Sequence, residues 1–344
     1  MTDETPRPPR RHRYSGKYPR QFALKYKELN PERYPETIGK VVAAGKTPAG
    51  THRPIMVAEV LQILRPKAGE VAVDCTLGFG GHAAELLPLL LPGGRLVGLD
   101  ADPIELPKTE ARLRARGYAP GVLTMHRSNF AGLQQVLAAE GLDGADVILA
   151  DLGVSSMQLD DPARGFSFKH DGPLDMRLNP GRGQPASALL EKLNAEALAD
   201  LLVANADEPH ARVLAAALAG RGFASTRALS GAIMDALPRG DAQERDLSMR
   251  RVFQALRIAV NDEFGALDAF LRALPNCLNP GGRVAIITFH SGEDRRVKKA
   301  FELGLGQGIY SEIAREVIRP TAAERAANPR SAPAKLRWAI RASA

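Results

Sequence analysis

The sequence predicts an α/β protein, a mainly parallel sheet with helices on both faces and a small helical insertion. Three observations carry this expectation. Between residues 70 and 152, short apolar runs alternate with segments of helical spacing. Three of those runs close on an acid, Asp74, Asp100 and Asp151, and glycines follow the first and the last. The alternation then lapses into helices alone and resumes toward residue 341. Strand–helix alternation of this kind indicates a parallel sheet covered on both sides.

The elements follow in order. Residues 70–77 read as a first strand ending in glycines, and 81–91 as a helix. Residues 95–100 form a second strand. Residues 103–116 form a helix opened by proline in its first turn. A third strand spans 122–126, a helix 130–140 stopped by Gly141, and a fourth strand 145–152. The stretch 153–185 is polar and rich in Gly and Pro, and a connection this long is usually functional. Three short helices follow: one from the cap Asn194, one carrying Val213, Leu214 and Leu218, and one from about Thr226 to Leu237. Val252, Leu256, Val260, Leu267, Leu271 and Leu274 then keep helical spacing. The turn Asn279-Pro280-Gly281-Gly282 leads into a strand over 283–289. Another helix follows, and 335–341 alternates as a final strand. The expected domains are a basic arm over 1–50, a core from 51–159 and 249–344, and an inserted, mostly helical domain over 160–248.

Composition narrows the class. Of 344 residues, 44% are hydrophobic and 25% charged, ordinary for a soluble globular chain. Cys75 and Cys277 form no CxxC and the seven histidines are scattered, so neither a disulfide framework nor a metal is expected. A reducing cytoplasm fits. Residues 1–20 lack the apolar stretch of a secretory signal. The apolar run 86–91 is broken by Pro88 and far too short for a membrane span. Charge is unevenly spread. Residues 1–50 hold 11 of the 46 Lys and Arg but only 5 of the 39 Asp and Glu. Tyr14, Tyr18, Phe22 and Tyr26 recur among those cations. Such an arm can stack on bases and meet phosphates, or it can pack on its own protein.

Four segments carry chemistry. Asp74-Cys75-Thr76-Leu77-Gly78-Phe79-Gly80-Gly81-His82 joins the first strand to the first helix. Its glycines let a ligand approach the backbone in front of a helix N-terminus. Asp100, 22 residues after Gly78, can accept hydrogen bonds from both ribose hydroxyls of an adenosine cofactor. Gly78-x-Gly80-x-x-Ala83 also satisfies a loose dinucleotide fingerprint. The polar Asp74-Cys75-Thr76 favours S-adenosylmethionine, which has an amino-acid tail and no phosphate. Asp151 ends the fourth strand and points to the same crevice, because ligands in open parallel sheets sit at the strands' carboxyl ends. Gln158 and Asp160-Asp161 follow it. Arg164-Gly165-Phe166-Ser167-Phe168 with Gly172-Pro173-Leu174-Asp175-Met176-Arg177 forms a loop suited to gripping a flipped-out base, or an ordered connector with buried aromatics. Thr288-Phe289-His290-Ser291-Gly292-Glu293-Asp294-Arg295 follows the fifth strand. There His290 can orient substrate, relay a proton or serve structure alone. Absence of G-x-S-x-G argues against a serine hydrolase.

Taken together, 74–82, DLGVSSMQLDD (151–161), RGFSF (164–168), DGPLDMR (171–177), VFQALRIAVNDE (252–263) and FHSGEDR (289–295) resemble one bacterial family. It comprises the enzymes that methylate a cytosine N4 amine in 16S ribosomal RNA. The tail motifs NPRS (328–331) and AKLR (334–337) are similar too. The resemblance covers about residues 52–344. It implies a class I, Rossmann-like S-adenosylmethionine-dependent methyltransferase sheet with a helical insertion. It also implies cofactor contacts at Gly80, Gly81, His82, Asp100, Phe130, Asp151 and Gln158. Asp151, His290 and Asp175 are the residues expected in the chemistry. The implied partner is 16S ribosomal RNA in the small subunit or a late precursor, with no membrane and with a homodimer admitted. Three features depart from the family: the basic arm, Gly292 where leucine is usual, and a short segment before the final strand. They suggest a divergent branch. Other classes remain open here: a non-catalytic RNA-binding protein, a nicotinamide oxidoreductase and a DNA amino methyltransferase, though the last usually shows a proline-proline-aromatic strand end.

Overall fold

Seven strands form one sheet in the computed structural model, which describes residues 54–343. The first half of the sheet comprises β1 (Val71–Asp74), β2 (Arg95–Asp100), β3 (Leu123–Arg127) and β4 (Ala145–Asp151). The second comprises β5 (Leu278–Thr288), β6 (Tyr310–Ile313) and β7 (Lys335–Arg341). Their order is β3-β2-β1-β4-β5-β7-β6. The first five run parallel, and β7 is antiparallel to both β5 and β6. This is the α/β architecture expected. Residues Pro54–Ala344 form one compact unit, and the basic arm lies outside the described residues.

Strand pleating sorts side chains onto two faces. Val73, Val97, Leu99, Ile148, Ala150, Val284 and Ile286 join one apolar cluster. It is completed by α4 (Leu133–Ala139), α11 (Glu263–Cys277) and α12 (Ser291–Gly306). Ala72, Leu96, Val147, Leu149, Ala285 and Ile287 join the other. There α1 (Val57–Leu64), α2 (Gly81–Leu90) and α3 (Glu105–Arg114) cover them. Both faces are dry, so these strands read as nearly continuous apolar runs.

Between β4 and α11 lie α5 (Ser156–Asp160), α6 (Ala186–Lys192), α7 (Ala195–Ala206), α8 (Ala211–Leu218), α9 (Thr226–Ala236) and α10 (Ala242–Asn261). They share a third apolar cluster that includes Leu198, Leu214, Leu229 and Phe253. That cluster also takes Phe166, Leu174 and Met176 from the preceding loop. The 20-residue α10 runs straight through the boundary expected at 248.

Several local expectations change. Pro103 stands outside α3, whose first N–H groups, at Ile104 and Glu105, are held by Asp102 Oδ1 instead. The helical spacing over 252–274 is two helices, broken at Asp262 in the left-handed conformation (φ 48°). The Asn279–Gly282 turn lies inside β5, where pairing already starts at Leu278 and the register shifts between Ala145 and Val147. There Asn279 Nδ2 donates to Asp146 Oδ1 at 2.8 Å and ties the irregular stretch to β4. Strand β6 and the helix α13 (Ala322–Ala327) carry too little apolar pattern to announce themselves.

Candidate active site

The loop after β1 is built by its neighbours at the strand ends. Gly78 N–H donates to Asp100 Oδ2 at 2.7 Å, and Asp102 N–H donates to Asp100 Oδ1 at 2.7 Å. Each oxygen of Asp100 keeps a lone pair for a further donor. Thr76 Oγ1 accepts from Asp151 N–H at 2.6 Å, which bolts the end of β4 to this loop. Gly80 sits at φ 79°, and a Cβ there would lie 2.9 Å from the Thr109 methyl. Glycine is required at that point both by conformation and by space. Arg112 stacks 3.6 Å above the Phe79 ring and donates to Thr109 Oγ1. Helix α2 starts at Gly81 with no side-chain cap, so its first-turn N–H groups are available to an anion.

Acids dominate the floor. Asp74 is 1% exposed, and burial pushes its carboxyl up to about 6. Asp100 is likewise raised to about 6, burial outweighing its two N–H donors. His82 Nε2 lies 3.6 Å from Asp151 Oδ2. Burial works against protonating His82, yet Asp151, Asp74 and Glu85 together hold its pKa above the usual value. Asp151 Oδ1 and His82 Nε2 are buried with no hydrogen-bond partner among the described residues. Phe130 lies in a single 3-10 turn capped by Asn129, its ring edge-on to Phe270 at 5.6 Å.

The other expected residues are already engaged. Gln158 forms a capping box with Ser155, and its Nε2 donates to Asp102 Oδ2 at 2.7 Å. Asp175 accepts from Arg177 through both oxygens, and these bonds outweigh burial and hold its carboxyl below the ordinary range. His290 caps α12, its Nδ1 accepting from Glu293 N–H, with Nε2 3.2 Å from Glu293 Oε1. Ligand atoms of Glu263, His290 and Glu293 lie within 4.8 Å of one another, but both Glu263 oxygens accept from Arg257. The structure thus gathers Gly80, Gly81, His82, Asp100 and Asp151 around one floor. It gives Gln158, Asp175 and His290 structural partners of their own.

Sequence reasoning missed the hub at Asp102. Its carboxylate is 1% exposed and accepts from Ile104 and Glu105 N–H, Gln158 Nε2 and Arg164 Nη1. Arg164 in turn donates to the carbonyls of Arg177 and Leu178. Asn261 clamps the same loop, accepting from Leu178 N–H and donating to the Met176 carbonyl. Met176 is fully buried in the left-handed conformation (φ 64°), a placement these bonds enforce. The spacing Asp100-x-Asp102 was the available signal.

Gly292 also has a physical reason. A Cβ there would lie 2.6 Å from the Phe264 ring, which occupies the space a larger side chain would need. The Arg296 guanidinium stacks 3.7 Å from the centre of that same ring.

Comparison with known proteins identifies the family. The Ribosomal RNA small subunit methyltransferase H 1 of Agathobacter rectalis is 48% identical over 344 residues, covering 97% of this chain and 97% of its own. Its namesake in Lachnoclostridium phytofermentans is 47% identical, covering 97% and 93%. The Ribosomal RNA small subunit methyltransferase H of Rubrobacter xylanophilus is 41% identical, covering 85% and 96%. The first two leave only 3% of this chain unmatched, far less than the basic arm. These two relatives therefore match part of the arm as well, whereas the Rubrobacter xylanophilus protein leaves 15% of the chain unmatched. The MraW methylase family matches residues 49–342, and with these relatives the match shows that the chain belongs to that family.

Proposed function

We propose that the protein transfers a methyl group from S-adenosylmethionine to the N4 amine of a cytosine in 16S ribosomal RNA. The observation that carries this is the acid-lined floor at the ends of β1, β2 and β4. Asp74, Asp100 and Asp151 suit a cofactor bearing a sulfonium and an ammonium, and they would repel the pyrophosphate of a nicotinamide dinucleotide. The residues present fit the group. Asp100 has spare lone pairs for ribose hydroxyls, the α2 N-terminus offers N–H groups to a carboxylate, and Phe130 follows β3, the strand paired with β2. The cofactor supplies an activated methyl, so the chain's task is chiefly positioning.

Cytosine N4 is a weak nucleophile, because its lone pair is delocalised into the ring. Asp151 Oδ1 is a buried acceptor on this floor without a partner among the described residues, and it can take a hydrogen bond from the amine and orient it for attack. The loop held by Arg164 and Asn261 walls the place where an extruded base would enter, and the helical lobe extends that wall. Gln158 and Asp175 support that wall through their bonds to Asp102 and Arg177. His290 fixes the start of α12. The natural partner in this proposal is the small ribosomal subunit or a late precursor, in the cytoplasm. No helix among the described residues is long and apolar enough to cross a membrane.

The test is transfer of a labelled methyl group to small subunits from cells that lack the protein, with the product nucleoside mapped by mass spectrometry. N4-methylcytidine in the 16S RNA is the expected product. Label in another nucleoside, or none, overturns the reading.

A further inference from the structure

The floor of the crevice holds an imidazole beside a carboxylate, with buried atoms of both left unpaired among the described residues. His82 opens α2 at 7% exposure, beside the Asp151 carboxylate, whose side chain is 24% exposed. Two buried polar atoms of this pair, His82 Nε2 and Asp151 Oδ1, lack hydrogen-bond partners among the described residues. An unpaired buried polar atom costs about 1–3 kcal/mol, so two on one imidazole–carboxylate pair call for a functional account. The charged groups that bear on the ring are all acidic: Asp151 from β4, Asp74 from β1 and Glu85 from α2 itself.

Methyl transfer moves one unit of positive charge at this spot. The N4 lone pair forms the new C–N bond, and the C–S bonding pair remains on sulfur, which becomes neutral. Nitrogen then carries the charge and one proton too many. We propose that His82, acting behind Asp151, is the terminal acceptor of that proton. This rests on the reading that Asp151 meets the cytosine amine. Asp151 Oδ1 takes the proton while the N–H pair stays on nitrogen. A half-turn of the carboxyl about χ2, a soft two-fold torsion, presents it to Nε2. The Nε2 lone pair of the Nδ1–H tautomer receives it. The methylated base leaves neutral, Asp151 returns to carboxylate, and an imidazolium stands between Asp151 and Asp74. The charge lost from sulfur reappears on the ring, so the acidic floor stays compensated throughout.

The direct measurement needs no substitution in the protein under test. The histidine 13Cε1 resonances of the full chain are titrated with pH, first with S-adenosylmethionine bound and then with S-adenosylhomocysteine. In this titration His82→Gln or His82→Asn assigns the signal. Removing one nearby positive charge should raise the midpoint of the His82 signal by about one pH unit. Equal midpoints overturn the proposal. Single-turnover transfer to small subunits is the second readout. The unmodified protein should lose rate as pH falls through the His82 midpoint. His82→Gln should abolish that limb and slow transfer roughly a hundredfold, more than any change in cofactor affinity seen by calorimetry. A limb that survives in the variant, or a slowdown matched by weaker cofactor binding, sinks the idea. Failure of the underlying reading shows separately, because the unmodified protein would then make no N4-methylcytidine.

Discussion

At Asp100 the fold accepts an electrostatic cost that the cofactor would relieve under the proposed binding mode. Its carboxyl is raised to about 6 by burial, so near that pH the free protein holds it partly protonated. Ribose hydroxyls donate to the ionised form and would hold the pKa lower in the complex. Binding should therefore release protons near pH 6, and affinity should fall as pH drops below that value. Calorimetry in buffers of different ionisation enthalpy reads the proton release directly, and Asp100→Asn should reduce it while weakening binding. Gly292 yields a second prediction. Gly292→Leu forces a side chain into the Phe264 ring and should destabilise by about 1–3 kcal/mol in urea unfolding. Phe264→Ala in the same chain should return part of that loss, a coupling that additive effects would not show. Asp100 and Asp151 were legible in the sequence, because a strand's last residue and the polarity of a parallel sheet fix where its side chain goes. His290 and Gln158 were less so. Each sits in a motif of the right chemistry, yet what the side chain bonds to depends on residues such as Glu293 and Asp102 whose role no spacing rule announces.

The loop between β4 and α6 shows how elements are held where they have little structure of their own. Its anchor is a buried pair, Arg164 with Asp102 at 2.8 Å, extended by the Asn261 clamp at the end of α10. Arg164→Met would strip one donor from a fully buried carboxylate and should cost about 3–5 kcal/mol. Arg164→Lys should recover part of this, since lysine keeps the charge but not the forked geometry. If this loop walls the base site, Arg164→Lys should raise KM for small subunits more than it changes cofactor affinity. Equal effects on both would refute that assignment. Regular elements here were legible where the apolar period is clean, as in β2 and α9. Helices α10 and α11 read as one, because helical spacing continues through Asp262 and only its left-handed backbone separates them. Strand β6 gave no signal, since its four residues bury only Tyr310 fully.

Across the whole molecule, charge and architecture divide the work. The residues beyond the arm are nearly balanced, 35 basic against 34 acidic, and the floor at the ends of β1, β2 and β4 is itself acidic. By net charge, the segment over 1–50 is the expected main source of attraction to a polyanion. Deleting that segment should lower the slope of log affinity for small subunits against log salt by roughly 0.7–0.9 for each phosphate it no longer neutralises. It should leave cofactor affinity unchanged. Coincident salt curves for the two proteins would remove the arm from RNA binding. The sheet, its acid-tipped strands and the existence of a helical insertion were visible in the sequence. The extent of the lobe was not, because its apolar cluster borrows Phe166 and Met176 before it and Phe253 and Leu256 after it.

The sheet order has a consequence for how the protein is made. Strand β7 lies between β5 and β6 although it comes last in the chain. While the nascent chain emerges, β5 has one open edge and β6 has no neighbour at all. Residues that wait with them include Asp294, whose carboxylate is held by Lys335 and Arg337. Asp160, just past β4, is likewise held by Arg330, 170 positions later. A protein destined for ribosomal subunits thus completes its own architecture only as synthesis of β7 finishes. A translating ribosome should carry it in a protease-sensitive form until those residues clear the exit tunnel.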